Sequence, residues 1–185
     1  MKFLILTSLV LFSLVASAYQ AIDFSPLQVQ YRFEDTSAQS KETVAYQSLS
    51  ANLQKEFLRF GFGYSRHNDD TGNSSLHIET EKKEYLANLG YQALVLDGKN
   101  NNLRLDLFVE AVLGITQSRV ATTLLGSTML STSNNDIVYG PGLAAIGRYS
   151  YFLLESDFQF LFSKAFSPQY VPIFTVKAGL SFPIP

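Results

Sequence analysis

Five stretches of this 185-residue chain alternate between apolar and polar residues, and that alternation restricts the folds open to it. In Leu27-Gln28-Val29-Gln30-Tyr31-Arg32-Phe33-Glu34 every odd residue is apolar and every even one polar. Successive side chains of a β-strand point to opposite faces, so this pattern predicts a strand with one apolar and one wet face. Leu58 to Ser65 repeats it, setting Leu58, Phe60, Phe62 and Tyr64 opposite Arg59, Gly61, Gly63 and Ser65. Leu103 to Ala111, Phe152 to Phe162 and Phe174 to Phe182 follow the same rule. Weaker alternation predicts three more strands, over 45–53, 85–95 and 138–149. In the second of these Tyr85, Ala87, Leu89, Tyr91, Ala93 and Val95 share the apolar face. Helix competes for Ser48 to Leu58 and for Glu81 to Leu89. Gly140-Pro141-Gly142 in the third predicts a bulge or a late start, because proline has no N–H for a ladder.

The first eighteen residues stand apart from this pattern. Lys2 supplies a positive charge, Phe3 to Val15 is apolar except at Thr7, Ser8 and Ser13, and Ala16-Ser17-Ala18 offers small residues before Tyr19. This is the layout of a cleavable signal peptide over 1–18, leaving one domain over 19–185. Elsewhere no stretch approaches the roughly 20 apolar residues of a membrane-crossing helix, so membrane residence would have to be carried by the alternation itself. Cysteine is absent, which excludes a disulfide scaffold and a thiolate metal site. A formal net charge of −2 gives no reason to expect nucleic acid as a partner.

The connections between the expected strands are long at 35–43, 66–84, 117–136 and 164–171, and short at 54–56, 97–102 and 150–151. Long and short alternate, as in an antiparallel up-and-down barrel with tight turns at one end and loops at the other. The long segments are rich in Asn, Asp, Gly, Ser and charge, a composition of solvated loops.

Alternation does not say which face lies inside. A secreted lipocalin-like carrier would place the apolar face inward, and a membrane barrel the reverse. The apolar faces are dominated by bulky Leu, Phe and Tyr, whereas the opposite faces hold Gly61, Gly63, Gly90, Gly114 and Gly179, which fit a narrow lumen. Charges on that second face nearly balance: Arg32, Arg59, Arg104, Arg148 and Lys177 against Glu34, Asp106, Glu110, Glu155 and Asp157. Each Arg or Lys turned to lipid at the midplane costs roughly 2–4 kcal/mol, and the set well over 10 kcal/mol. Turned inward, opposite charges pair. The expected fold is therefore an all-β, eight-stranded antiparallel transmembrane barrel whose lumen is plugged by salt bridges.

The signal peptide, the alternating strands, the paired lumenal charges and the closing Phe174-Thr-Val-Lys-Ala-Gly-Leu-Ser-Phe182 strand together resemble the small outer-membrane β-barrel family of OmpA/OmpX-type and opacity-type proteins. The resemblance implies residence in the bacterial outer membrane, lipid as surroundings, and a last strand read by the barrel-insertion machinery. In that family the last strand usually ends in an aromatic residue, and here Pro183-Ile184-Pro185 follows Phe182.

Some barrels of this size are lipid A hydrolases, which need a carboxylate-polarised His beside a Ser. The two histidines, His67 and His77, fall in expected loop segments and outside any His-x-Ser arrangement, so no catalytic role is expected. Asp69-Asp70 with Glu79, Glu81 and Glu84 could hold a divalent cation weakly through oxygen ligands, but a charged solvated loop is favoured, and neither metal nor cofactor is expected. The expected role is structural or surface-interacting, through the long loops. A narrow channel for water or small ions is the alternative, and a soluble carrier the second.

Overall fold

The structure, a computed structural model, describes residues 20–32, 47–72, 76–98, 103–124, 126–164 and 169–184. The 1–18 segment and Glu34 lie outside them. Eight strands follow one another, β1 (Gln20–Arg32), β2 (Gln47–Lys55), β3 (Leu58–Gly72), β4 (Leu76–Asp97), β5 (Leu103–Leu124), β6 (Ser127–Tyr149), β7 (Phe152–Phe162) and β8 (Tyr170–Ile184). Each pairs antiparallel with its neighbours, and β1 closes on β8, giving a barrel without free edges around its circumference. The segments where helix competed are strands in β2 and β4.

The wall faces as the charge argument requires. Phe60, Phe62, Leu89, Leu105, Val109, Leu113, Leu143 and Leu154 lie on the outside with 45–61% of their surface exposed, whereas Arg59, Asp106 and Glu155 are fully buried inside. A lipocalin-like arrangement is thereby excluded. Aromatic rings band the outer wall at two heights. One band holds Tyr31, Tyr64, Tyr85, Tyr139, Phe162 and Phe174, with cross-strand pairs such as Tyr64–Tyr85 at 5.2 Å and Tyr139–Phe162 at 5.9 Å between ring centres. The other holds Phe57, Tyr91, Tyr149, Phe152 and Phe182, with Phe57–Tyr91 at 5.4 Å. β7 runs from one band to the other, and such a strand, tilted about 40°, climbs about 25 Å, the height of a lipid-facing belt. Leu143 sits midway, paired with Phe158. Leu143→Arg should lower folding stability in lipid vesicles by about 2–4 kcal/mol, and Tyr149→Arg in the lower band by about 1 kcal/mol or less. Urea titration of the vesicle-embedded protein measures both.

Bulges in β1 and β4 reset the alternation. In β1, Ala21, Asp23 and Ser25 are buried and Ile22 and Phe24 exposed. Past Pro26 the phase inverts, so that Leu27, Val29 and Tyr31 face out and Gln30 and Arg32 in. A bulge inserts one unpaired residue and flips every side chain beyond it. That inversion hides the first half of β1 from a periodicity search. In β4 a shift between Gln92 and Leu94 turns Leu94 and Leu96 outward, so Val95 does not share the face of Tyr91 as expected. Around Gly140-Pro141 the ladder to β5 runs without a shift, while that to β7 has a gap between Tyr139 and Gly142. No late start occurs, since β6 begins at Ser127.

The largest departure concerns the segments 66–84 and 117–136, expected as loops. β3 and β4 stay paired to Gly72↔His77, and β5 and β6 to Leu124↔Ser127. Above the membrane both faces of a strand meet water, so polar residues occupy both and the period disappears while the backbone ladder continues. Among the described residues their neighbours end lower. β2 begins at Gln47, opposite Arg66, and β7 ends at Phe162, opposite Tyr139. The outer parts of β3–β6 therefore stand above the rest of the barrel as a four-stranded flap. Its β6 edge, Ser127 to Val138, extends beyond the last pair with β7 by about 40 Å at ~3.3 Å per residue.

Candidate functional site

The interior is the first place to seek chemistry, because every inward strand position converges there. At the tight-turn end, β1, β5 and β6 supply Asp23, Asp106 and Arg148. The Arg148 guanidinium bridges the two acids, with Nη2 2.5 Å from Asp23 Oδ2 and Nη1 on Asp106 Oδ2. Arg104 Nε adds a bond of 2.9 Å to Asp106, and its Nη1 lies 3.9 Å from Asp97 at the rim. Gln92 Nε2 completes the Asp106 shell at 2.5 Å.

A second tier crosses the middle. Arg59 Nη1 donates to Glu110 Oε1 at 3.0 Å, and Nη2 to Glu155 Oε2 at 2.6 Å. Lys177 Nζ joins Glu155 Oε1 at 2.9 Å and also contacts Asp157. Asn88 Nδ2 donates to Glu110 Oε1 at 2.9 Å. Gly61 makes room for Asn88 and Asn52, since a Cβ built there would lie 2.0 Å from each Oδ1. The Arg59 guanidinium also sits 5.6 Å from the centre of the buried Phe108 ring. Toward the flap a third tier pairs Arg32 with Glu84, to which Ser65 Oγ adds a longer contact of 3.4 Å.

Charge fills only part of the lumen. Phe108, Ala144, Ile146 and Leu153 form one buried apolar cluster, and Val112, Val138, Leu161, Val171 and Ile173 another. The β5–β8 side of the interior thus carries an apolar wall among its charged residues, which the expectation of an inner face of charges and glycines did not include. The ion pairs are held against this wall, away from water that would screen them.

Arg32, Arg59, Arg104, Asp106, Glu110, Arg148, Glu155, Asp157 and Lys177 all point inward, and every one makes an ion pair. Asp23 and Glu84 were missed. Asp23 alternates with Ile22 and Phe24, but lies before the β1 bulge. Glu84 was grouped with Glu79 and Glu81, although it keeps step with Leu86 and Asn88 on the inward face.

The remaining polar candidates sit on the flap, within strands rather than loops. His77 Nε2 lies 3.1 Å from Asp70 Oδ1, both well exposed, and His67 pairs across to Lys82. Glu81 binds Arg66 at 2.7 Å and Lys83 at 3.0 Å. The hydrogen bond from Lys83 holds its carboxyl below the usual carboxylate range. The acids proposed as a cation cluster are thus divided between the lumen and separate flap contacts, and no metal-holding group of three occurs among the described residues.

No protein-family model and no curated protein matches this sequence. Solved structures share its architecture. The attachment invasion locus protein Ail of Yersinia pestis superposes with a TM-score of 0.55 at 13% identity, over 89% of this chain and 97% of that one. Ail in complex with the heparin analogue sucrose octasulfate gives 0.50, with the same identity and coverage. Neisserial surface protein A gives 0.48 at 15% identity, over 89% and 96%. The two Ail structures carry the comparison. The fold is that of the small eight-stranded outer-membrane barrels, and the lipid-facing belt fits that membrane.

Proposed function

We propose that this chain, having the fold of an outer-membrane barrel, is a surface-interaction protein in which the barrel anchors the flap for contact with an external partner. The observation that carries this is the unequal height of the strands. A barrel built only to span lipid needs about 9–11 residues per strand, whereas β4, β5 and β6 have 22, 22 and 23. Among the described residues the surplus lies on one side of the mouth and forms a sheet whose β6 edge has no pairing strand beyond its last pair with β7. Such an edge offers unpaired N–H and C=O groups, and an extended partner segment adds to it as a further strand. That a barrel of the same fold is solved in complex with a heparin analogue supports a ligand-binding role.

The lumen is closed under this proposal. Three tiers of ion pairs and two apolar clusters block passage through it, and the described acids and bases nearly cancel. The 1–18 segment serves as the export signal, and β8 is the strand offered to the insertion machinery.

Trimming the flap tests the role. Replacing 68–81 and 119–133 by two-residue turns joins strands at the pairs His67↔Lys82 and Ser118↔Asn134, leaving the belt untouched. The trimmed protein should keep heat-modifiable gel migration. Cells displaying it should lose adhesion to surfaces coated with heparin or extracellular-matrix protein, while cells with the full chain adhere. Equal adhesion by both would remove the flap from the function.

A further inference from the structure

Between the middle tier and the mouth, the lumen holds a polar cavity of about 50 Å³, lined by Gln28, Ser50, Asp157, Gln159, Thr175 and Lys177 among others. Asp157 is 1% exposed, and its Oδ1 has no hydrogen-bond partner among the described residues. The Lys177 ammonium it touches is shared with Glu155, whose own carboxyl lies beside that of Asp157. The surrounding tier sets three acids, Glu110, Glu155 and Asp157, against two bases, Arg59 and Lys177. The bases of the other tiers are matched there, Arg148 and Arg104 against Asp23 and Asp106, and Arg32 against Glu84. One negative charge is therefore in surplus beside the cavity, and an uncompensated buried charge is strongly disfavoured.

The lining says what could balance it. The Lys177 ammonium lies on one side of Asp157, and around the rest of the cavity the polar walls offer neutral amide and hydroxyl oxygens, which are hard ligands suited to cations that bind through oxygen. Divalent ions usually draw on more carboxylates or keep most of their waters. About 50 Å³ is room for a small ion with a few waters, at roughly 10–15 Å³ of such volume per water. We propose that this cavity is a binding site for a partly hydrated monovalent cation, held by Asp157 and the neutral oxygens around it.

The full chain, folded in detergent micelles, provides the test. Its thermal unfolding midpoint is measured in sodium or potassium chloride and in choline chloride at equal ionic strength, at neutral and mildly acid pH. A bound alkali ion should raise the midpoint at neutral pH by roughly 2–5 °C over choline, which is too large for the cavity. Asp157→Asn should abolish that difference. Gly63→Leu should abolish it too while leaving Asp157 in place, because a Cβ at Gly63 meets nothing nearer than 4.0 Å and a longer side chain fills the space. Equal midpoints in sodium, potassium and choline would overturn the proposal. So would a cation-independent midpoint that rises on acidification in the parent and not in Asp157→Asn, since a proton would then neutralise the surplus.

Discussion

Arg59→Leu is expected to destabilise the barrel by about 3–5 kcal/mol, measured by urea unfolding in lipid vesicles. Arg59 is wholly buried and joins Glu110 and Glu155 from the facing wall, so it ties β3 to β5 and β7 through the centre of the lumen. Leucine supplies a similar volume without charge and leaves two carboxylates with one fewer partner in a medium that solvates them poorly. The loss comes from those orphaned acids more than from any intrinsic strength of the pair. A combined Arg59→Leu, Glu110→Gln, Glu155→Gln variant should therefore recover much of the stability. The same variants test closure of the lumen. If the tier is a plug, planar bilayers containing Arg59→Leu should pass more current than those containing the parent, whose conductance should be small.

Gly179→Val should prevent normal closure between β8 and β1, at a cost of about 1–3 kcal/mol or more for forced overpacking. Leu180 pairs with Phe24 and Ala178 with Leu27, so Gly179 stands opposite the two bulged residues Ser25 and Pro26. A Cβ built on it would lie 2.0 Å from the Phe24 carbonyl oxygen and 2.8 Å from Ser25 Cα. Both are backbone atoms, so relief requires the seam itself to move. Gly147→Val is the control, since its Cβ would lie 3.8 Å from the Leu154 carbonyl oxygen, an ordinary contact. The expected gel result is loss of the heat-modifiable compact form for Gly179→Val and its retention for Gly147→Val. Equal behaviour of the two would mean that the bulge relaxes easily.

The sequence by itself determined the barrel and its orientation. Period-two alternation follows from strand geometry wherever one face meets lipid and the other does not, so Leu27, Phe60, Leu105, Phe158 and Leu180 mark the wall without any knowledge of contacts. The cost of charge in lipid then turned Arg59, Asp106, Glu155 and Lys177 inward. Local pattern went no further than that, for two physical reasons. A bulge inverts the phase, which hid Asp23 behind Pro26 and misplaced Val95. Above the membrane both faces are wet, so β3 to β6 lost their period where the flap begins, and paired strands looked like loops. Which acid meets which base was decided by register and closure alone. Asp23 and Arg148 are 125 positions apart in the chain, and only the curvature that brings β1 across from β6 makes them partners.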